Sequence, residues 1–95
     1  MIKVSVKETE ISIKGHAFAD NRGQDIVCAA VSVLTQSLAN SVEALTHDKF
    51  KCDLKNGDAH ITFGNVSERT RTLIDSFFIG ICGVANSYPD KVRFE

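Results

Sequence analysis

The chain has 95 residues, of which 28 are Val, Ile, Leu or Phe, a share above that of a disordered polypeptide. Eleven Lys and Arg nearly balance twelve Asp and Glu, which excludes a protein that lives on nucleic-acid phosphates, because such binding needs clustered cations. A chain of this length predicts one domain, residues 1–95, able to bury roughly 60–65% of its unfolded surface.

At the start, Ile2, Val4 and Val6 alternate with Lys3, Ser5 and Lys7, and Ile11 and Ile13 resume the alternation after Thr9-Glu10. This period of two predicts a β-hairpin with one buried face, ending at Gly15-His16. Ala17 to Gln24 is polar and reads as a loop. A helix is predicted to begin near Asp25 as its N-cap, because Val27, Val31, Leu34, Leu38, Val42 and Leu45 form one stripe at helical spacing. Val is a mediocre helix former, but the period outweighs the propensity.

Phe50, Cys52 and Leu54 then alternate with charged residues, and Ala59, Ile61 and Phe63 alternate beyond Asn56-Gly57, a strong signal for a type I′ hairpin. Ser67 is a suitable N-cap for a second helix, with an apolar face of Leu73, Ile74, Phe77, Phe78, Ile81, Ala85 and Tyr88. Pro89 stops it, and Val92 and Phe94 suggest a last short strand. The order ββαββαβ predicts an α+β two-layer sandwich, with one mostly antiparallel sheet and two helices. The longest apolar run, Phe77 to Ala85, is too short to cross a bilayer, and the N-terminus lacks the apolar core of a signal peptide. Three cysteines with no Cys-x-x-Cys spacing suit a reduced, cytoplasmic protein that works without a membrane.

The chemistry concentrates at Cys28. With Asp25 as N-cap it would be the third helical residue, in a first turn whose amides lack intrahelical acceptors and favour negative charge. Those amides would also suit the oxyanion of an acyl-transfer intermediate. His16 lies across the short loop, close enough to act as general base towards the thiol and then as acid towards a leaving amine. Asp25 has two possible jobs, capping the helix or orienting the His16 ring. From the residues alone, Cys28 is either a small packed side chain or a nucleophile, and His16 either a satisfied polar residue or its base. Cys52 and Cys82 read as core, His47 as a helix-end imidazole and His60 as a residue of the wet strand face. No metal-ligand spacing or phosphate-binding Gly loop appears, and nothing requires a cofactor.

Gly15-His16-Ala17, a short loop, then Gly23-Gln24-Asp25-Ile26-Val27-Cys28-Ala29-Ala30-Val31-Ser32 resembles the ribosomal-processing cysteine protease family (Prp) of bacteria. The resemblance continues through Leu34-Thr35-Gln36, Asn40-Ser41 and the C-terminal helix to Tyr88-Pro89. It implies a cytoplasmic, homodimeric endopeptidase that removes an N-terminal extension from the precursor of the large-subunit ribosomal protein L-twenty-seven. His16 would be the general base and Cys28 the nucleophile, with Gly15, Asp25 and Ser32 at supporting motif positions. The segment from Ala17 to Gln24 would be a mobile substrate loop, with Phe18, Arg22 and Gly23 as its contacts. Two other classes compete: a non-catalytic assembly factor that binds the same precursor, and a redox-sensing thiol at Cys28.

Overall fold

A computed structural model describes residues 1–15, 22–55 and 57–95, with the side chains of the first helix described from residue 26 onward. The elements are β1 (Ile2–Val6), β2 (Glu10–Lys14), α1 (Arg22–Leu45), β3 (Phe50–Lys55), β4 (Asp58–Phe63), α2 (Glu68–Ser87) and β5 (Val92–Phe94). They build the ββαββαβ sandwich that the two periodicities predict. The five strands form one sheet in the order β3-β4-β2-β1-β5. Every neighbouring pair is antiparallel except β1 with β5, which run parallel.

Cross-strand register shows how far the helices roof this sheet. Leu54, Ala59, Ile13, Val4 and Phe94 form one row across all five strands. Exposure along it runs from 40% at Leu54 to 7% at Ile13, 0% at Val4 and 37% at Phe94. The neighbouring row gives the same picture, with Ile11 and Ile61 buried and Cys52 exposed. The helices therefore cover the centre of the sheet, and both edge strands, β3 and β5, are less covered. Cys52 thus departs from the core position predicted for it. Alternation correctly put it on the helix side, but an edge strand has helix above it only as far as the roof extends.

Helix α1 buries Val27, Val31, Leu38, Ala39 and Val42. A fully buried Val contributes roughly 1.5 kcal/mol or more, which exceeds its helix-propensity penalty of at most about 0.7 kcal/mol. By length and composition alone, Ile26–Leu45 is long and apolar enough to span a membrane, with a mean hydropathy of 1.3. In this fold its apolar stripe lies on the sheet. Leu45, predicted at the end of that stripe, is 53% exposed.

The two helices pack antiparallel and meet at Gly80, where a Cβ would stand 2.9 Å from Leu34 Cδ2. At α2, Phe78 packs on Phe94 of β5 with centroids 5.1 Å apart. Cys82, one position past buried Ile81, is half-buried rather than core.

Asp48, just after α1, fastens the start of α2. Its Oδ2 accepts from the Ser67 amide at 2.8 Å, from Ser67 Oγ at 2.6 Å and from the Thr70 hydroxyl. Ser67 in turn caps α2 by accepting from the Thr70 amide, as its position before the apolar run predicts. Arg69 Nη1 donates to the Leu45 carbonyl at 3.0 Å, tying the start of α2 to the last turn of α1. The hydrogen bonds from Ser67 and Thr70 hold the Asp48 carboxyl below its ordinary pKa. A carboxyl depressed in the folded state contributes stability above the ordinary carboxylate range, and loses it as pH falls through the folded-state pKa. Asp48→Asn should therefore lower the urea midpoint at pH 7, and its deficit relative to wild type should shrink below about pH 4. A deficit of constant size from pH 7 to pH 3 would show that the charge plays no part.

Candidate active site

Helix α1 starts four residues earlier than an N-cap at Asp25 would set it. Arg22, Gly23 and Gln24, predicted as loop, are helical, and Asp25 is the fourth helical residue rather than the N-cap. Neither Gly23 nor Gln24 forbids helix, so the apparent cap at Asp25 did not mark a boundary. Cys28 is consequently the seventh residue of α1, with its amide inside the helical ladder rather than among the unsatisfied groups of the first turn. The predicted cradle of first-turn amides around this thiol therefore does not form at Cys28. His16 and the loop residues 17–21, including Phe18, lie outside the described residues, as do the side chains of Arg22 and Asp25. Asn56 lies outside them too, so the type I′ assignment rests with that residue, while Gly57 beside it has φ of +80°.

Cys28 is half-buried and packs against the core. It opens on a groove of about 300 Å³ that lies where the helical roof ends. One wall is α1, with Cys28, Ser32 and Gln36 four residues apart on one stripe and Thr35 beside them. The floor and the opposite wall come from the sheet: Ile2, Ile13, Ala59 and Leu54, with Lys55, Gly57 and Asp58 at the rim. Ser32 and Gln36 are exposed, whereas the Thr35 hydroxyl is buried and donates to the Val31 carbonyl at 2.7 Å. The groove is thus polar on the helix side and apolar on the sheet side, with a thiol in its wall.

Gly15 connects this groove to the segment that carries His16. Its amide donates to the Gly57 carbonyl at 2.9 Å, so the tip of the β3–β4 hairpin holds the chain one residue before His16. Its φ of +97° lies in the left-handed region, and an added Cβ would stand 2.3 Å from the Met1 carbonyl oxygen. Only glycine fits both demands. The structure thus brings Gly15, Cys28 and Ser32 to one groove. Of the lining residues, Thr35 and Gln36 share the helical spacing of Cys28. Leu54, Gly57 and Asp58 carry no local signal and arrive there only through sheet register.

Other titratable groups stand apart from this chemistry. Burial and the neighbouring Asp53 carboxylate push the Cys52 thiol above its ordinary pKa, which disfavours its thiolate. His60 is half-buried, and its Nε2 lies 2.9 Å from Asp58 Oδ1. His47 is exposed at the end of α1. No cluster of three metal-ligating side chains occurs among the described residues.

Residues 1–93 match the family model described as cysteine protease Prp. A ribosomal processing cysteine protease Prp from Mycoplasma pneumoniae is 30% identical over 104 residues, covering 100% of this chain and 94% of the relative. The protein of the same name from Staphylococcus aureus is 21% identical over 90 residues, covering 92% of this chain and 85% of the relative. The crystal structure of Staphylococcus aureus Prp with a covalently linked product peptide has the same fold, with a TM-score of 0.86 at 20% identity over 99% of this chain and 95% of that one. A Streptococcus mutans structure aligns with a TM-score of 0.76 at 28% identity, over 99% of this chain and 90% of that one. A two-layer sandwich with a thiol in an open groove is here the framework of a cysteine protease. The chain belongs to the Prp family, whose curated relatives are ribosomal processing cysteine proteases.

The Gly15 contacts give a direct test. Gly15→Ala should destabilise the fold by about 2 kcal/mol or more, read as a lower urea midpoint with unchanged slope. Wild-type stability would mean that the Met1 backbone yields easily and that Gly15 anchors nothing.

Proposed function

We infer that this protein is an endopeptidase that removes the N-terminal extension of the precursor of the large-subunit ribosomal protein L-twenty-seven, with Cys28 as nucleophile and His16 as general base. The observation that carries the reading is the Cys28 thiol in the wall of an open groove, within a chain of the Prp family. The relatives' name, ribosomal processing cysteine protease, supports a ribosomal precursor as substrate. So does the structure of the Staphylococcus aureus protein solved with a substrate peptide.

The chemistry proceeds as acyl transfer. His16 takes the thiol proton as Cys28 sulfur attacks the scissile carbonyl, giving a tetrahedral intermediate. Its collapse breaks the C–N bond, and the imidazolium returns the proton to the leaving amine. A thioester then links the released extension to Cys28. Water, deprotonated by His16, hydrolyses it and regenerates the thiol. Gly15 acts through position, because the hydrogen bond to Gly57 fixes where the chain departs towards His16. Asp25, now within the first turn, is left to orient or support rather than to cap.

A homodimer belongs to the same reading. Ile26 and Val33 on α1 and Ile79 on α2 are apolar and exposed, and a second copy would give them cover. The cytoplasm, where precursors and ribosomes meet, is the matching compartment.

Incubating wild type and Cys28→Ala with the extended precursor, and reading intact masses, tests the activity. Wild type should release one defined N-terminal peptide, and Cys28→Ala should be slower by at least about a thousandfold. Binding of the precursor by both forms without any cleavage would instead favour the assembly-factor reading.

A further inference from the structure

At the β3 edge of the sheet, an apolar side chain of the helix-facing row is left in the open beside the thiol. Leu54 sits on edge strand β3, 40% exposed, in the same cross-strand row as half-buried Ala59 and buried Ile13. All three line the groove that contains Cys28. The geometry points to a distal specificity subsite at Leu54 and Ala59, which receives an apolar side chain of the peptide substrate a few residues from the scissile bond. This inference rests on the protease reading above.

Distance sets the number of residues. Leu54 lies two strands along the row from Ile13, or about 10 Å at the usual spacing between strands. An extended peptide advances about 3.3–3.6 Å per residue, so about three residues cover the span from Ile13 to Leu54. The occupant follows from continuity and polarity. A chain held at Cys28 must leave along the groove, between the helix wall of Ser32 and Gln36 and the sheet wall of Ala59 and Leu54. The polar wall offers a hydroxyl and an amide for peptide backbone groups, while the side chains of Leu54 and Ala59 offer only carbon. An extended peptide has the complementary character, with backbone polar groups on its edges and side chains projecting from its faces.

Charge does not compete for this subsite. The two ionic groups on the rim are already engaged on their own strands: Lys55 Nζ lies 3.8 Å from Asp53 Oδ2, and Asp58 Oδ1 lies 2.9 Å from His60 Nε2. Neither points to a charged substrate residue as the one being read. Leu54 lacks the burial of Ile13 in the same row and is accessible from the groove that contains Cys28.

The test is steady-state cleavage of the extended precursor, and of a peptide series spanning its cut site with each position changed to Ala in turn. Leu54→Asp and Leu54→Ser should lower kcat/KM about tenfold or more, mainly through KM, because contact away from the reacting bond contributes binding in ground and transition states alike. Leu54→Met should restore most of that loss. Leu45→Asp, an equally abrupt change at an exposed leucine on the far end of α1, should leave KM at the wild-type value. Within the series, one position two to four residues from the cut should be sensitive to Ala in wild type and insensitive in Leu54→Asp, the coupling expected of a direct contact. Circular dichroism of the variants checks that the fold persists. Cleavage by wild type with KM unmoved in both Leu54 variants would overturn the subsite while leaving the protease reading standing. Failure of wild type to cut at all would overturn both.

Discussion

Val27, Val31, Leu38 and Val42 press onto the sheet from a single helix, and the width of that contact decides where the rest of the molecule can place its chemistry. One helix covers about 10 Å, roughly two strands at their usual spacing. Two antiparallel helices therefore roof most of a five-stranded sheet but not all of it. Exposure rises at both edges, at Leu54 of β3 and Phe94 of β5, and the groove opens at the β3 edge. A sheet of four strands would have left no groove, and a third helix would have sealed it.

The thiol lies on that boundary. Cys28 is on α1 where its side chain still packs against the core but already faces the gap, which makes it half-buried. Packing on one side fixes its position, while openness on the other gives a peptide access. Cys52 shows the opposite balance. It is more exposed, yet burial and the neighbouring carboxylate disfavour its thiolate. Exposure alone does not make a cysteine a nucleophile; a shaped groove beside it matters more. The hairpin tip contributes to both ends of the site, since Gly57 lines the groove and also accepts from Gly15 at the start of the His16 segment.

Much of this was legible in the residues. The period of two in Ile2-Val4-Val6 and Ile11-Ile13, and the 3.6-residue stripe from Val27 to Val42, translate directly into strands and a core helix, because each face must be buried as a unit. Ser67 announced the start of α2 through its own side chain. Local signals failed where the outcome depends on something distant. Alternation assigns Cys52 and Leu54 to a face but cannot report how far the helices reach over it. Asp25 has the chemistry of a cap, yet the helix was free to begin at Arg22 because nothing between them prevents it. The groove wall at Leu54, Gly57 and Asp58 depends on strand order, which no single segment encodes. Cys28 itself stood out only because its neighbours resemble a family motif; spacing alone left it open.

The parallel pairing of β1 with β5 joins the beginning of the chain to its end: Ile2 pairs with Val92, the Ile2 amide donates to the Lys91 carbonyl at 2.7 Å and the Glu95 amide to the Val4 carbonyl at 2.8 Å. During synthesis, one side of β1 must wait for residues made almost a full chain later. Until they emerge, its backbone donors and acceptors form an open sheet edge of the kind that captures other strands. Contacts of such long sequence separation also slow the final step of folding. The hairpins and helices of this protein can assemble before β5 emerges, but closure of the sheet along β1 must wait for it.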